Sequence, residues 1–309
     1  VRRLATLAVA AGLVASLAAC SSADDSAAGC TPPASSGNAS SVVTATGDFG
    51  GSTTVAEFPT PLTTSKLQVS VLSQGDGEVV QPGDYVDFVA TQYDSSTGDV
   101  AYDAQTARYG ASDQSDLNKI FECVTVGSRI AAVVPTGESA EDTSSAVLVI
   151  DVLDRIQRKA DGRSELPTRG FPAVVTAPDG TPGITVQDEA APTTLKSAVL
   201  KSGNGATVAE GDSVILQYSV YNWGSPATLL DSSWTAAAPR TYAAKAFDTT
   251  DGTGLFPGTE DAVIGQKVGS QVIVIVPPDK SYPSGAAAPD NGTADTTRIY
   301  VLDILKIVN

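Results

Sequence analysis

Three side chains in the C-terminal third are of a type and spacing to do chemistry: Tyr218 in SVILQYSVY, Asp231 in LLDSSW and Tyr282 in VIVIVPPDKSYP. Phenolic hydroxyls and a carboxylate can anchor a carbonyl, orient a neighbouring dipole and line an apolar hollow. They are not a nucleophile with its base. The 309-residue chain contains no histidine, which removes the Ser-His-Asp triad, an imidazole base near neutral pH and a His-rich metal site. That one absence removes many hydrolase and zinc-enzyme readings. Each residue also has a plainer role open to it. Tyr218 fits as a core aromatic, Asp231 ahead of two serines as a turn former, and Tyr282 beyond Pro-Pro as an exposed loop residue.

The elements that must position these groups read mainly as strands. In SVILQYSVY, Val214, Leu216, Tyr218 and Val220 share one face, and Ile215, Gln217, Ser219 and Tyr221 share the other. That is the two-residue period of a sheet packed mainly on one side. VIVIV before Pro277 and RIYVLDILKIV at the end are two further strands rich in β-branched residues. Pro277 and Pro278 lack the N–H that a ladder needs, so pairing stops there. LFPGTEDAVIGQKVG reads as a short helix, with Thr259 as N-cap, Glu260 and Asp261 in the first turn and Gly265 as the stop. Strands with one short helix predict an α+β fold.

An internal repeat organises the chain. SVLSQGDGEVVQPGDYVDF from Ser70 answers AVLKSGNGATVAEGDSVIL from Ala198, and the pairs Gly75/Gly203, Gly83/Gly211 and Asp103/Asp231 all lie 128 residues apart. Later, TVGSRIAAVVP answers KVGSQVIVIVP. The expected division is a leader over 1–20, a flexible Ser/Ala/Gly/Thr/Pro tether over 21–65, a first copy over 66–157, a linker over 158–185 that begins charged and ends as the opening strand of the next copy, and a second copy over 186–309, with its core motifs in 211–309.

In the second copy the parts follow a fixed order: the GNGATVAEGDSVILQY hairpin, LLDSSW, the short helix, VGSQVIVIVPPDKSY and a terminal strand. This order resembles the FKBP family of peptidyl-prolyl cis-trans isomerases, from about Lys196 to Asn309. The resemblance implies two FKBP-like domains, each a twisted antiparallel sheet wrapping a short helix over an aromatic-lined proline pocket. It implies roles for Tyr218 as the pocket tyrosine, Asp231 as the aspartate at the rim, and Leu230 where the family has phenylalanine. Leu255 and Phe256 match the pair whose backbone receives the peptide. Tyr282 matches the tyrosine whose hydroxyl meets a ligand carbonyl, and Tyr300 the aromatic that closes the pocket. Two departures stand out. Thr259 replaces the tryptophan of the pocket floor, and either Tyr242 or Arg240 takes the place of a further aromatic. Both imply turnover below that of a typical member.

The first copy departs further. Ala90 stands where Tyr218 stands, and TGESAEDTSSA after Pro135 is shorter than its counterpart and has no tyrosine. It is expected to be a degenerate copy serving as spacer, binding surface or dimer contact.

Nineteen basic against thirty-five acidic residues give a net charge of −16, the wrong sign for a phosphate backbone, so no nucleic-acid partner is expected. The start VRRLATLAVAAGLVASLAAC has a positive end, an apolar stretch too short to span a bilayer and small residues before Cys20. Its ending resembles the lipobox of bacterial lipoproteins, which implies acylation at Cys20 and a location outside the cytoplasmic membrane, anchored by lipid. There thiols oxidise, and Cys30 and Cys123 are the remaining cysteines. A bridge between them is the economical expectation, two free thiols the alternative. The resemblance implies proline-containing unfolded or exported polypeptides as partners, and a macrolide as a further ligand. The alternative is a non-catalytic proline-peptide-binding or chaperone-like surface protein.

Overall fold

The computed structural model describes residues 30–52, 54–110, 116–137, 144–235, 239–282 and 296–308. The leader over 1–20, with Cys20, and the first part of the expected tether lie outside them.

In chain order the elements are β1 (Thr44–Thr46), β2 (Val55–Glu57), β3 (Gln68–Ser73), β4 (Tyr85–Asp94), β5 (Val100–Gly110), α1 (Asp116–Phe121), β6 (Arg129–Pro135) and β7 (Ser145–Ile156). There follow β8 (Arg163–Ser164), β9 (Ala173–Thr176), β10 (Pro182–Thr185), β11 (Lys196–Ser202), β12 (Ser213–Asn222), β13 (Thr228–Ser232), β14 (Arg240–Ala243), α2 (Glu260–Val263), β15 (Gln271–Val276) and β16 (Arg298–Val308). A five-stranded sheet of order β3-β6-β7-β4-β5 forms the N-terminal half. A seven-stranded sheet of order β13-β12-β16-β15-β11-β8, with β14 also on β12, forms the C-terminal half. Every pairing in both is antiparallel. The helices are very short, so the fold is mostly β.

The repeat is visible atom by atom in its turns. Gly83 and Gly211 have φ of 90° and 91°, a conformation that suits glycine. The next residue closes the same turn in each half: Asp84 accepts from the Gln81 N–H at 2.9 Å, Asp212 from the Ala209 N–H at 2.8 Å. A side chain on Gly75 or Gly203 would run into the carbonyl of Val126 or Val268 respectively, so close strand crossing excludes larger residues at both.

Four expectations need correction. Residues 30–65 are not a free tether. Ala39, Val43 and Leu62 pack on Tyr93, Ala131, Val133 and Val147, covering the outer face of the five-stranded sheet. The Gly50 N–H donates to Asp151 at 2.7 Å, and Cys30 is disulfide-bonded to Cys123 with a Cα–Cα distance of 5.6 Å. Residues 158–185, expected to begin as a charged linker and to end as the opening strand of the next copy, are docked on the C-terminal sheet well before that strand. β8 pairs with β11, and the β9–β10 hairpin lays Val174 and Ile184 against Tyr221, Ile273 and Val301. The seven-stranded sheet is therefore not packed on one side only. Ile215, Gln217, Ser219 and Tyr221 are buried like their inward neighbours, because the hairpin and the N-terminal half cover that face. The fourth correction concerns Thr259. It holds the N-cap position of α2 as expected, but its side chain makes no capping bond; its hydroxyl donates to the Phe256 carbonyl instead, at 2.8 Å.

The halves touch through Tyr85 and Ile156 on one side and Ile215 and Leu305 on the other. An ion pair between Lys306 and Asp154 lies beside this contact.

Candidate functional site

Alternation along β12 sends Tyr218 into the space under the sheet, where β16 brings Tyr300 and β14 brings Tyr242. The register sets Val220 opposite both Asp231 and Tyr300, and Val214 opposite Tyr242. Asp231 is the next-to-last residue of β13, immediately before a 3-10 turn at Ser233–Thr235. It accepts a hydrogen bond from the Tyr218 hydroxyl at 2.7 Å, while its other oxygen accepts from the Ser232 N–H at 2.8 Å. Burial, the neighbouring Tyr242 and the bond to Asp231 push the Tyr218 phenol well above its usual range, and burial also raises Tyr242. Both stay neutral at any physiological pH, so they serve as hydrogen-bonding groups and not as acids.

Phe256 is the hub. Its ring centroid lies 4.9 Å from Tyr218, 5.0 Å from Tyr300 and 5.2 Å from Tyr242. These are contact distances for aromatic pairs, so the rings fill the space between them. Leu255 is fully buried beside Phe256, and Leu230 packs against the same core from the rim. The Phe256 carbonyl accepts from the Thr259 N–H at 3.0 Å as well as from its hydroxyl. That carbonyl is thus engaged within the turn, which leaves the Phe256 N–H as the backbone group that could meet a peptide carbonyl.

Tyr282 belongs to the same core, only 3% exposed, but its ring neighbours are different. Phe247 approaches edge-on at 5.2 Å, and the Arg298 guanidinium lies 5.3 Å from the ring centroid. Both Arg240 and Tyr242, alternatives in the sequence, meet Tyr218: the guanidinium at 5.6 Å from its ring, the aromatic edge at 6.3 Å. The arrangement therefore brings together Tyr218, Asp231, Tyr242, Leu255, Phe256 and Tyr300, with Leu230 at the rim and Tyr282 in the same apolar core beside Phe247.

Two participants were missed from the sequence. Phe247 carried no signal beyond being aromatic ahead of an Asp-Thr-Thr turn. Arg298 could have been found, since it lies two residues before Tyr300 on one strand and so shares its face.

Among the described residues the N-terminal half has no equivalent constellation. Phe88, Tyr109 and Phe121 form one aromatic group there and Phe58 and Tyr93 another; Tyr102 is 67% exposed and Asp103 also faces solvent. Two cavities lie elsewhere. One of about 890 Å³ lies between Phe171, Pro172 and the outer face of the seven-stranded sheet, and one of about 660 Å³ lies among Asp84, Arg155, Arg158 and Asp179. Trp223 also lines the first, and the walls of both are of mixed polarity; the Tyr218 cluster remains the candidate because it brings four aromatic rings into contact beside a hydrogen-bonded carboxylate.

No family model matches the chain, and no curated protein matches it. Among solved structures it is similar to the three FKBP domains of wheat FKBP73, at 16% identity over 78% of this chain and 94% of that one, with a TM-score of 0.33. It is similar to FkpA from Escherichia coli at 18% identity over 43% of this chain, TM-score 0.31, and spans about half of that protein's length, 51%. A third likeness is to a peptidyl-prolyl cis-trans isomerase from Pseudomonas syringae pv. tomato, at 14% identity over 37% of this chain and 76% of that one, TM-score 0.29. At this similarity the likenesses carry no argument about activity, which rests on the side chains above.

Proposed function

We propose that the C-terminal half is a peptidyl-prolyl cis-trans isomerase of the FKBP type, acting on exported polypeptides from a lipid anchor at Cys20. The observation that carries this reading is the Tyr218–Asp231 hydrogen bond at the rim of a buried aromatic cluster. Rotation about an X–Pro bond faces about 18–20 kcal/mol because amide resonance must be broken, whereas the two isomers differ by only about 0.5–1 kcal/mol. A catalyst must therefore hold the twisted amide better than either planar form. In this reading the Phe256 ring moves aside to admit the prolyl ring, and the tyrosine walls hold it in a dry environment, where the amide loses resonance more easily. Asp231, fixed by Tyr218, orients the rim, the Phe256 N–H and the Tyr282 hydroxyl anchor carbonyls of the peptide, and Tyr300 closes the far side. No cofactor takes part.

A second reading is supported by one specific feature. Phe256 stands in contact with three tyrosines, and Thr259 sits at the floor position where the family has tryptophan. A site so filled suits a protein that keeps the fold and binds proline peptides, or only packs, without turnover.

A protease-coupled assay of the full chain on a proline tetrapeptide, with and without a macrolide FKBP ligand, separates the two. Catalysed isomerisation that the macrolide inhibits supports the enzyme. Macrolide or peptide binding without rate enhancement replaces it with the second reading.

A further inference from the structure

We infer that Tyr85, a residue of the N-terminal half, is a positioning residue for the Tyr218–Asp231 site in the C-terminal half. A continuous chain of hydrogen bonds joins them. Gln217 Nε2 donates to the Tyr85 hydroxyl at 2.6 Å, and Ser233 Oγ donates to Gln217 Oε1. Ser233 Oγ in turn accepts from the Tyr218 N–H at 2.8 Å. Ser232, the next residue back, donates its N–H to Asp231 and shares a 3.0 Å hydroxyl contact with Ser219. The 3-10 turn that carries Ser233 is thus held from below by a group belonging to the other half.

Two features set this chain apart from ordinary packing. Gln217 and Ser233 are both 0% exposed, so water cannot replace the Tyr85 oxygen, and a buried amide donor that loses its acceptor is costly. The Gln217 amide would then have to turn, withdrawing Oε1 from Ser233 and loosening the turn beside Asp231. In addition, the position matching Gln217 at the 128-residue spacing is Val89, buried like it. An apolar residue satisfies the sheet there, so the frame itself does not demand a glutamine. The need arises only where one half must be tied to the other.

The inference rests on the isomerase reading for its catalytic consequence but not for its physical one, so two readouts are needed. In the full chain, Tyr85→Phe keeps the ring against Ile156, Ile215 and Leu305 and removes only the hydroxyl. The Tyr218 amide should exchange with solvent about tenfold faster. The kcat for a proline peptide should fall about three- to tenfold with KM within about twofold, since the group acts on geometry and not on binding. Lys306→Gln, which breaks the ion pair at the same contact without touching the chain, should change neither. Unchanged Tyr218 exchange in Tyr85→Phe overturns the inference. Faster exchange with unaltered kcat overturns the positioning role. A wild-type chain without turnover ends the isomerase reading alone, and exchange then decides the link between the halves.

Discussion

Position for position, the two halves share turns and strands and differ in what those strands enclose. Where the C-terminal half has Tyr218, the N-terminal half has Ala90. β5 is one strand from Val100 to Gly110 with a register shift beside Asp103, which faces solvent, whereas its counterpart is divided into β13 and β14, with a 3-10 turn at Ser233–Thr235 directly after β13. The interruption is what turns Asp231 toward Tyr218 and brings Ser233 beneath its backbone. A second contrast lies on the opposite faces. Asp151 is held by Arg129 through two hydrogen bonds of 2.6 and 2.8 Å, whereas Asp303 has the neutral Gln271 at 2.7 Å and the Ala160 N–H at 2.8 Å. Each aspartate is the point at which the preceding segment docks. An ancestral frame can thus diverge in its interior while keeping its means of attachment.

The largest expected effect tests that second contrast. Arg129→Met leaves the Asp151 carboxylate buried without its cation and should cost about 3–5 kcal/mol in thermal or denaturant unfolding. Gln271→Met should cost clearly less, because Asp303 can bind a proton. Equal losses would mean that the two aspartates are equivalent after all.

Next in size is the contrast at the rim. Asp231→Val should lower kcat/KM for a proline peptide by about tenfold or more, while Asp103→Asn should leave it within about twofold. Equal effects in the two variants would break the assignment of activity to one half.

The pH response should also differ. Burial raises Asp303 from 3.8 to about 6. Between those values the folded chain holds a proton that the unfolded chain has released, so this group adds stability as pH falls through about 6 and withdraws it above. Melting curves should accordingly show wild type losing more stability than Asp303→Asn between pH 5 and 7.5, by on the order of 1–2 kcal/mol. Gln271 can turn its amide over to suit the asparagine. Parallel pH profiles for the two proteins would exclude this role for Asp303.

The smallest effect sharpens the choice between enzyme and binder. Phe256→Leu vacates part of the space among Tyr218, Tyr242 and Tyr300. A proline peptide followed by NMR titration should bind about two- to fivefold more tightly if the ring must otherwise move aside. Weaker binding would make Phe256 part of the binding surface.

Much of the frame was legible in the residues. Gly83–Asp84 and Gly211–Asp212 announce the same turn because a positive φ and a side chain reaching back to the chain are local requirements. The alternation in SVILQYSVY placed Tyr218 on the inner face, and Pro277 marked the end of β15. The site was legible in its membership more than in its contacts. Tyr218, Asp231, Tyr242, Phe256 and Tyr300 meet, but nothing in LFPGTEDAV shows that the Phe256 ring reaches all three tyrosines, or that Thr259 bonds to its carbonyl instead of capping α2. The stretches 30–65 and 158–185 misled for a compositional reason. Ser, Gly, Pro and Thr suggest loose chain, yet a few apolar residues such as Val43, Leu62, Val174 and Ile184 suffice to cover a sheet when its outer face is also apolar.

The sequence by itself determined two copies of one antiparallel frame and the inward row that carries Tyr218, since turn geometry and strand alternation are settled within a few residues. Only the tertiary structure decided that both outer faces are covered, that Asp151 and Asp303 are docking points, that Phe256 occupies the middle of the aromatic cluster and that Tyr85 reaches Gln217. Each of these depends on groups far apart in the chain whose burial is mutual, and mutual burial is a property of the assembled surfaces that no local pattern records.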